Sequence, residues 1–345
     1  MKSALITGIS GQDGAYLAKL LLGRGYRVLG AARRTSIQAS FIPRLRHFSI
    51  DDQVEIVDFE LSELANIVRI VQKYQPQEIY NLAAQSFVGA SWEQPITTSD
   101  VNAIGVLRLL EAIRTFSPES RLYQASTSEM FGYASVHPQN ESTPFYPRSP
   151  YGVAKLYGHW ITKNYRESFG IKCVSGILFN HESPLRGQEF VTRKITLGLS
   201  RIVLGQQDVL ELGNLDAKRD WGFAGDYVDG MWRILNAVKL DDYVLASGET
   251  HSIREFAELA ANCLGMDLGW SGSESKEIGI DRKTGKTVIR VNPKFYRPAE
   301  VPLLLGDSSR AQSELGWRRE VEFAGLVEMM ARSDYDACKS GCVRF

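Results

Sequence analysis

The sequence predicts an α/β protein built on a doubly wound parallel sheet, with a smaller mixed α/β lobe attached. Three observations predict it. Ser3 to Thr7 is a short apolar run that enters the glycine turn Gly8-Ile9-Ser10-Gly11-Gln12-Asp13-Gly14 and then a helical pattern. Strand-like and helix-like segments alternate after it, which implies parallel pairing with helices on both faces. From about Asn180 onward loops break the alternation, which places a second lobe in the later part of the chain.

In chain order, Leu17, Leu20 and Leu21 repeat at helical spacing until Gly23 to Gly25, and Arg27 to Ala31 reads as the second strand. A strand, Val54 to Val57, closes on Asp58 and Phe59. A helix, Leu64 to Val71, precedes the strand Glu78 to Leu82, and a helix, Val101 to Ile113, precedes the strand Leu122 to Ser126. Ser149 suits the N-cap of a long helix and Pro150 its first turn, where proline's missing N–H has no intrahelical partner. Lys172 to Leu178 is a further strand. Ile253 to Leu264 and Phe323 to Met330 read as helices of the later lobe, Glu274 to Thr287 as an exposed hairpin or loop, and the residues from Asp336 as a loose tail. The division is 1–180 for the Rossmann-like domain, with some later segments returning to it, 181–335 for the second lobe and 336–345 for the tail.

Composition narrows the function. Forty basic and forty acidic residues among 345 give a formal charge of +0, which argues against a nucleic-acid or membrane-surface binder. No apolar run approaches a bilayer span, and Met1-Lys2 leads straight into a strand, so a cytoplasmic protein is expected. Cys173, Cys263, Cys338 and Cys342 have no metal-ligand spacing, so reduced thiols and no metal are expected.

Gly8, Gly11 and Gly14, between a strand and a helix, let the backbone approach a pyrophosphate that rests on the helix N-terminus, with Gln12 and Asp13 beside it. An NAD site would place an acidic residue at the end of the second strand. Arg33, Arg34, Thr35 and Ser36 stand there instead and favour the 2′-phosphate of NADP, because guanidinium groups bind phosphate bidentately. Asp58 either accepts from the adenine amino group or caps the following helix. Ser126-Thr127-Ser128-Glu129 ends the strand that opens toward the ligand crevice. Tyr151 and Lys155, four residues apart, share a helix face. There they either serve alcohol oxidation, an ammonium acidifying a phenol that takes the hydroxyl proton, or are a surface pair on an amphipathic helix.

These motifs together resemble the extended short-chain dehydrogenase/reductase family and, within it, the 4,6-dehydratases of GDP-mannose. The similarity extends through Pro144 to Tyr151, Leu178 to Pro184, Phe190 to Lys194, Arg219 to Gly222 and Tyr296 to Glu300, nearly the whole chain. The resemblance implies an internal redox dehydration. Tyr151 takes the 4-hydroxyl proton while hydride passes to NADP, Glu129 takes the C5 proton, water leaves C6, and the hydride returns there. It also implies that Thr127 bonds the 4-hydroxyl and Lys155 holds the nicotinamide ribose. Leu82, Gln85, Ser86, Thr97, His181 and Arg186 would border the cofactor. Ser86, Ser128, Asn180, Val191, Lys194, Arg219, Arg297 and Glu300 would line the GDP-sugar site. Phe87 and Thr97 depart from the family's His and Tyr. Relatives form dimers or tetramers, and the Arg33-Arg34 loop lies between subunits in the tetramers. The rival expectations are a reductase or epimerase on a related nucleotide sugar, and a non-catalytic dinucleotide-binding scaffold.

Overall fold

In the computed structural model, residues 1–34, 43–296, 301 and 303–343 are described, so Thr35, Ser36, Arg297 and Glu300 lie outside the described residues. The large sheet contains β1 (Ser3–Thr7), β2 (Arg27–Ala32), β3 (Val54–Asp58), β4 (Glu78–Asn81), β5 (Arg121–Thr127), β6 (Cys173–Leu178) and a late strand, Tyr243–Leu245. The late strand lies beside β6, and the order across the sheet from β6 is β6, β5, β4, β1, β2, β3, with every pair parallel. The chain therefore winds one way from β1 through β2 to β3 and the other way from β4 to β6. The C-terminal ends of β1 and β4 part at this reversal and open the crevice in which such sheets bind ligands.

Alternate residues along each strand divide between two cores. Leu5, Leu29, Ile79 and Leu122 pack on one face, under α3 (Leu64–Tyr74) and the helix Gly105–Phe116. Ile6, Val28, Tyr80, Tyr123 and Val174 pack on the other, under α1 (Gln12–Gly23) and the helix Ala224–Leu235. That face-to-face alternation is the period of two of a pleated strand buried on both sides. The expected helix from Val101 is interrupted: Asp100–Ile104 forms a single π turn before Gly105–Phe116. Such turns are common at functional sites, and here Asn102 of the turn brackets Gln85, accepting from its N–H at 2.9 Å and donating to its carbonyl at 2.8 Å.

The long helix Pro150–Phe169, α7 below in chain order after α2 (Pro43–His47), α4 (Ala90–Glu93), α5 (Pro95–Ser99) and α6 (Gly105–Phe116), begins as its sequence dictates. Ser149 Oγ accepts from the Gly152 N–H at 3.0 Å, Pro150 occupies the first turn, and Gly170 ends the helix in the left-handed conformation. The second lobe has a four-stranded mixed sheet, β9 (Leu268–Ser271), β10 (Ile278–Asp281), β11 (Lys286–Val291) and β8 (Leu210–Leu212), with a core closed by α8 (Val191–Val203), Ile253–Cys263 and Phe323–Lys339. The stretch expected as hairpin or loop at Glu274 to Thr287 is the β10–β11 hairpin of this sheet. The last helix continues through Asp336 to Lys339 and buries Cys338, so those four residues are not loose tail: an apolar helix face holds them.

Candidate active site

Side chains from the ends of β1, β4 and β5 and the start of α7 meet at the crevice. The turn after β1 has the build of a phosphate cradle. Gly8 adopts φ +73°, and a Cβ on Gly14 would lie 2.4 Å from the Gly8 carbonyl oxygen, so a side chain there would spread the turn. Helix α1 starts with Gly11 as its cap and no side chain bonded to its first N–H groups, which remain directed outward with the helix dipole. The residues present fit a dinucleotide's pyrophosphate.

Asp13 and His181 form a buried pair beside this turn. His181 Nε2 lies 2.9 Å from Asp13 Oδ2, and Nδ1 lies 2.8 Å from the Phe179 carbonyl oxygen. Both partners are acceptors, an arrangement that favours the doubly protonated imidazole. Burial pushes the Asp13 carboxyl up, but the charge and hydrogen bond of His181 outweigh it and hold it at about 2. Burial likewise opposes the His181 charge, and Asp13 overcomes it to raise the imidazole above its ordinary value. Gln12 donates to the His181 carbonyl at 3.1 Å and accepts from Ser183 at 2.7 Å, so the glycine turn is bolted to β7 (Asn180–Glu182).

The catalytic candidates come together. Thr127 ends β5, Ser128 and Glu129 begin the following short 3₁₀ turn, and all three are buried. The Glu129 N–H donates to Thr127 Oγ1 at 3.3 Å, and the Thr127 hydroxyl lies close enough to the Tyr151 phenol to act on its pKa. Gly152 allows the approach of α7: a Cβ there would stand 2.8 Å from the Glu129 carbonyl oxygen. Lys155 lies one turn further along α7, buried, with Nζ donating to the Ala125 carbonyl at 2.8 Å and standing 5.9 Å from the Tyr151 ring centroid.

The protonation of this pair departs from the sequence expectation. Burial pushes the Tyr151 phenol above its ordinary value, the Glu129 charge adding to that and the Thr127 hydroxyl opposing it. The expected acidification by Lys155 is therefore corrected for this arrangement, in which Lys155 rests on a backbone carbonyl. Burial also lowers Lys155 itself, to about 8, with Asp13 opposing the shift.

The remaining candidates are distributed as follows. Arg33 and Arg34 are exposed after β2, and Asp58 is exposed at the end of the adjoining β3. Asp58 does not cap the next helix, whose cap is Glu63, while the Phe59 ring is buried in the core. Leu82, Gln85 and Ser86 follow β4 into the crevice; Gln85 Nε2 donates to the Phe87 carbonyl at 2.9 Å. Thr97 is exposed on the five-residue α5. Arg186 pairs with Glu182 at 3.0 Å and lies 3.5 Å over the Phe190 ring, which also meets Phe87 edge-on. Asn180 and Val191 are half-buried at the starts of β7 and α8, and Lys194 Nζ lies 3.5 Å over the Phe295 ring, its pKa lowered by burial. Arg219 is buried and donates to the carbonyls of Lys218 and Val301, both at 2.8 Å.

Two arginines were not singled out by the sequence. Arg44 joins the glycine turn to the second lobe, donating to the carbonyls of Ser10 at 2.9 Å and Leu185 at 2.7 Å, and burial lowers it to about 10. Arg193 pairs with Asp334 at 2.7 Å and donates to the carbonyls of Pro184 and Arg186, with both side chains of the pair fully buried. Arg193 carried a signal, an arginine one turn before the apolar Leu197 on the same face of the helix; Arg44 carried none.

Residues 5–330 match the family model described as GDP-mannose 4,6 dehydratase. The chain belongs to the GDP-mannose 4,6-dehydratase family. The "GDP-mannose 4,6-dehydratase" of Sinorhizobium fredii is 52% identical over 341 residues, covering 96% of each chain. The "GDP-mannose 4,6 dehydratase" of Homo sapiens is 46% identical over 346 residues, covering 98% of this chain and 92% of its own. Among solved structures, RMD from Pseudomonas aeruginosa complexed with NADPH has the same fold, with a TM-score of 0.76 at 21% identity over 97% of this chain and 99% of that one.

Proposed function

We propose that this chain is an NADP-dependent GDP-mannose 4,6-dehydratase that forms GDP-4-keto-6-deoxy-mannose and water. The observation that carries the reading is the meeting of Thr127, Glu129 and Tyr151 in one buried spot above Lys155. A reductase has no use for a carboxylate there, whereas loss of water across C5 and C6 needs a group that removes the C5 proton and donates toward the departing hydroxyl.

Thr127 orients the sugar 4-hydroxyl, and Tyr151 accepts its proton as the phenolate, a form that the Lys155 ammonium and the positive nicotinamide of bound NADP stabilise against the effect of burial. Bound NADP supplies the hydride acceptor for oxidation at C4 and the hydride donor at C6. Glu129 takes the proton made acidic by the C4 ketone and gives a proton to the C6 oxygen, so water leaves. Lys155 holds positive charge beneath Tyr151 and near the nicotinamide ribose. Arg33 and Arg34 receive the 2′-phosphate, and the exposed carboxylate of Asp58 faces the adenine end. Arg186 borders the cofactor, and Lys194 and Arg219 supply cations on the GDP-sugar side with Asn180 and Val191; Arg297 and Glu300 are assigned to the same ligand.

The chain works as a homo-oligomer in the cytoplasm. Trp92, Ile96, Ile104, Val153, Tyr157 and Trp160 are exposed on the packed elements α4, α5, the π turn and α7, and a second copy covers such a face. Among the described residues no helix is long and apolar enough to cross a membrane, and the cysteines are free thiols.

The test is incubation of the purified protein with NADP and a panel of sugar nucleotides, with detection of the 4-keto product. GDP-mannose should be consumed, and Glu129→Gln should abolish dehydration. Product from another sugar nucleotide alone, or a fully active Glu129→Gln, would contradict the reading.

A further inference from the structure

A continuous hydrogen-bond chain crosses the large sheet at its reversal point and ends on Lys155. It begins at the Ala83 N–H, which donates to Thr7 Oγ1 at 3.0 Å. The Thr7 hydroxyl donates to Asn81 Oδ1 at 2.7 Å, and Asn81 Nδ2 donates to Gln124 Oε1 at 2.8 Å. Gln124 Nε2 donates to the Ala125 carbonyl at 3.0 Å, the same oxygen that receives Lys155 Nζ at 2.8 Å. Thr7, Asn81 and Gln124 are 0%, 1% and 1% exposed.

Three features make this more than three satisfied polar residues. First, the donors all run one way. Thr7 accepts from a backbone N–H that has one role, so its own proton faces Asn81, which fixes the Asn81 amide, which fixes the Gln124 amide. Aligned links of this kind polarise one another in a dry interior. Second, the last ladder pair between β4 and β5 is Asn81 with Gln124, so on the β4 side Ala125 lies one residue beyond pairing, where side chains take over, while on the other side it still pairs with Gly176 of β6. Third, apolar side chains in these three strand positions would leave the sheet intact, and the polar ones carry a penalty wherever a link is missing.

We propose that Thr7, Asn81 and Gln124 are positioning residues that fix the Ala125 carbonyl as the seat of the Lys155 ammonium and tie that seat to the residue opening the glycine turn. This rests on the reading of Lys155 and Tyr151 as catalytic. The chain extends the site two strands beyond the groups that touch substrate, and makes the turn at Gly8 and the seat of Lys155 parts of one rigid unit. Lys155 is faced by Asp13 from α1 and by Tyr151 from its own helix.

Two substitutions at opposite ends test it. Gln124→Leu removes the donor next to Lys155, and Thr7→Val removes a hydroxyl three links away while keeping shape and strand preference. Misplacing a catalytic group lowers turnover, so Gln124→Leu should lower kcat about tenfold to a hundredfold with KM for GDP-mannose within about twofold, and weaken NADP binding in fluorescence titration. Thr7→Val should lower kcat about threefold or more, and Thr7→Ser should restore it. If Gln124→Leu does not fold, the Thr7 pair decides. Folded variants with unchanged kcat and NADP affinity, beside an inactive Lys155→Met, would overturn the positioning chain alone. A Lys155→Met protein with wild-type turnover would overturn the reading beneath it.

Discussion

Lys155 is a cation held where its charge is least stable. Its folded pKa of about 8 lies below the ordinary 10.5, and the first cause is burial. Below about pH 8 both folded and unfolded chains carry the proton, and burying the charge costs roughly 3 kcal/mol of stability. Between the two values the folded chain releases the proton that the unfolded chain keeps, so the cost shrinks, and above 10.5 it is gone. Lys155→Met should therefore melt higher than the wild type at pH 7, with the gap closing toward pH 10 in calorimetry, while turnover is lost. Tyr151 presents the complementary case. Its phenol is pushed upward by burial and by Glu129, so Tyr151→Phe should leave melting nearly unchanged and lower kcat by about a thousandfold, within the range of a lost general acid or base. That both groups belong to the site was legible in their spacing and in the cap at Ser149. The direction of the phenol's shift was not, because burial depends on elements contributed from far along the chain.

At the scale of elements, α7 and the 3₁₀ turn of Glu129 are set by one contact. Gly152→Ala would put a Cβ 2.8 Å from the Glu129 carbonyl oxygen, and the helix must move away to relieve it. Turnover should fall about tenfold or more while far-UV circular dichroism is retained. The pair of Arg193 on α8 and Asp334 on the last helix holds the second lobe closed beneath the carbonyls of Pro184 and Arg186. Removing one partner strands a buried charge, so Arg193→Met should cost about 3–5 kcal/mol in denaturant unfolding. The elements themselves were largely readable: β1, the glycine turn, β2 and the cap of α7 announce themselves through residues adjacent in sequence. The π turn at Asp100–Ile104 was not, since helical periodicity hides a single extra residue. The pairing of Arg193 with Asp334 joins distant segments that no local pattern connects.

Across the whole molecule, the order of the parallel sheet brings the ends of β1, β4 and β5 to one crevice. Alternating segments made this architecture legible, as did the loops that break the pattern near Asn180. The return of Tyr243–Leu245 to the edge of the sheet is less so, being a three-residue strand whose neighbour β6 lies far earlier in the chain. The apolar face along Val153, Tyr157 and Trp160 belongs to this scale too: on the proposal that a second copy covers it, Trp160→Glu together with Ile96→Glu should give a smaller species than the wild type in light scattering. In the proposed reaction, oxidation, water loss and reduction occur on one sugar in one crevice. Mass spectrometry and NMR of the product formed from GDP-mannose carrying deuterium at C4 follow that hydrogen through the cycle. The deuterium should stand at C6 of the same molecule, with no net change in the cofactor. Deuterium lost to solvent or accumulating in free reduced cofactor would contradict that reaction.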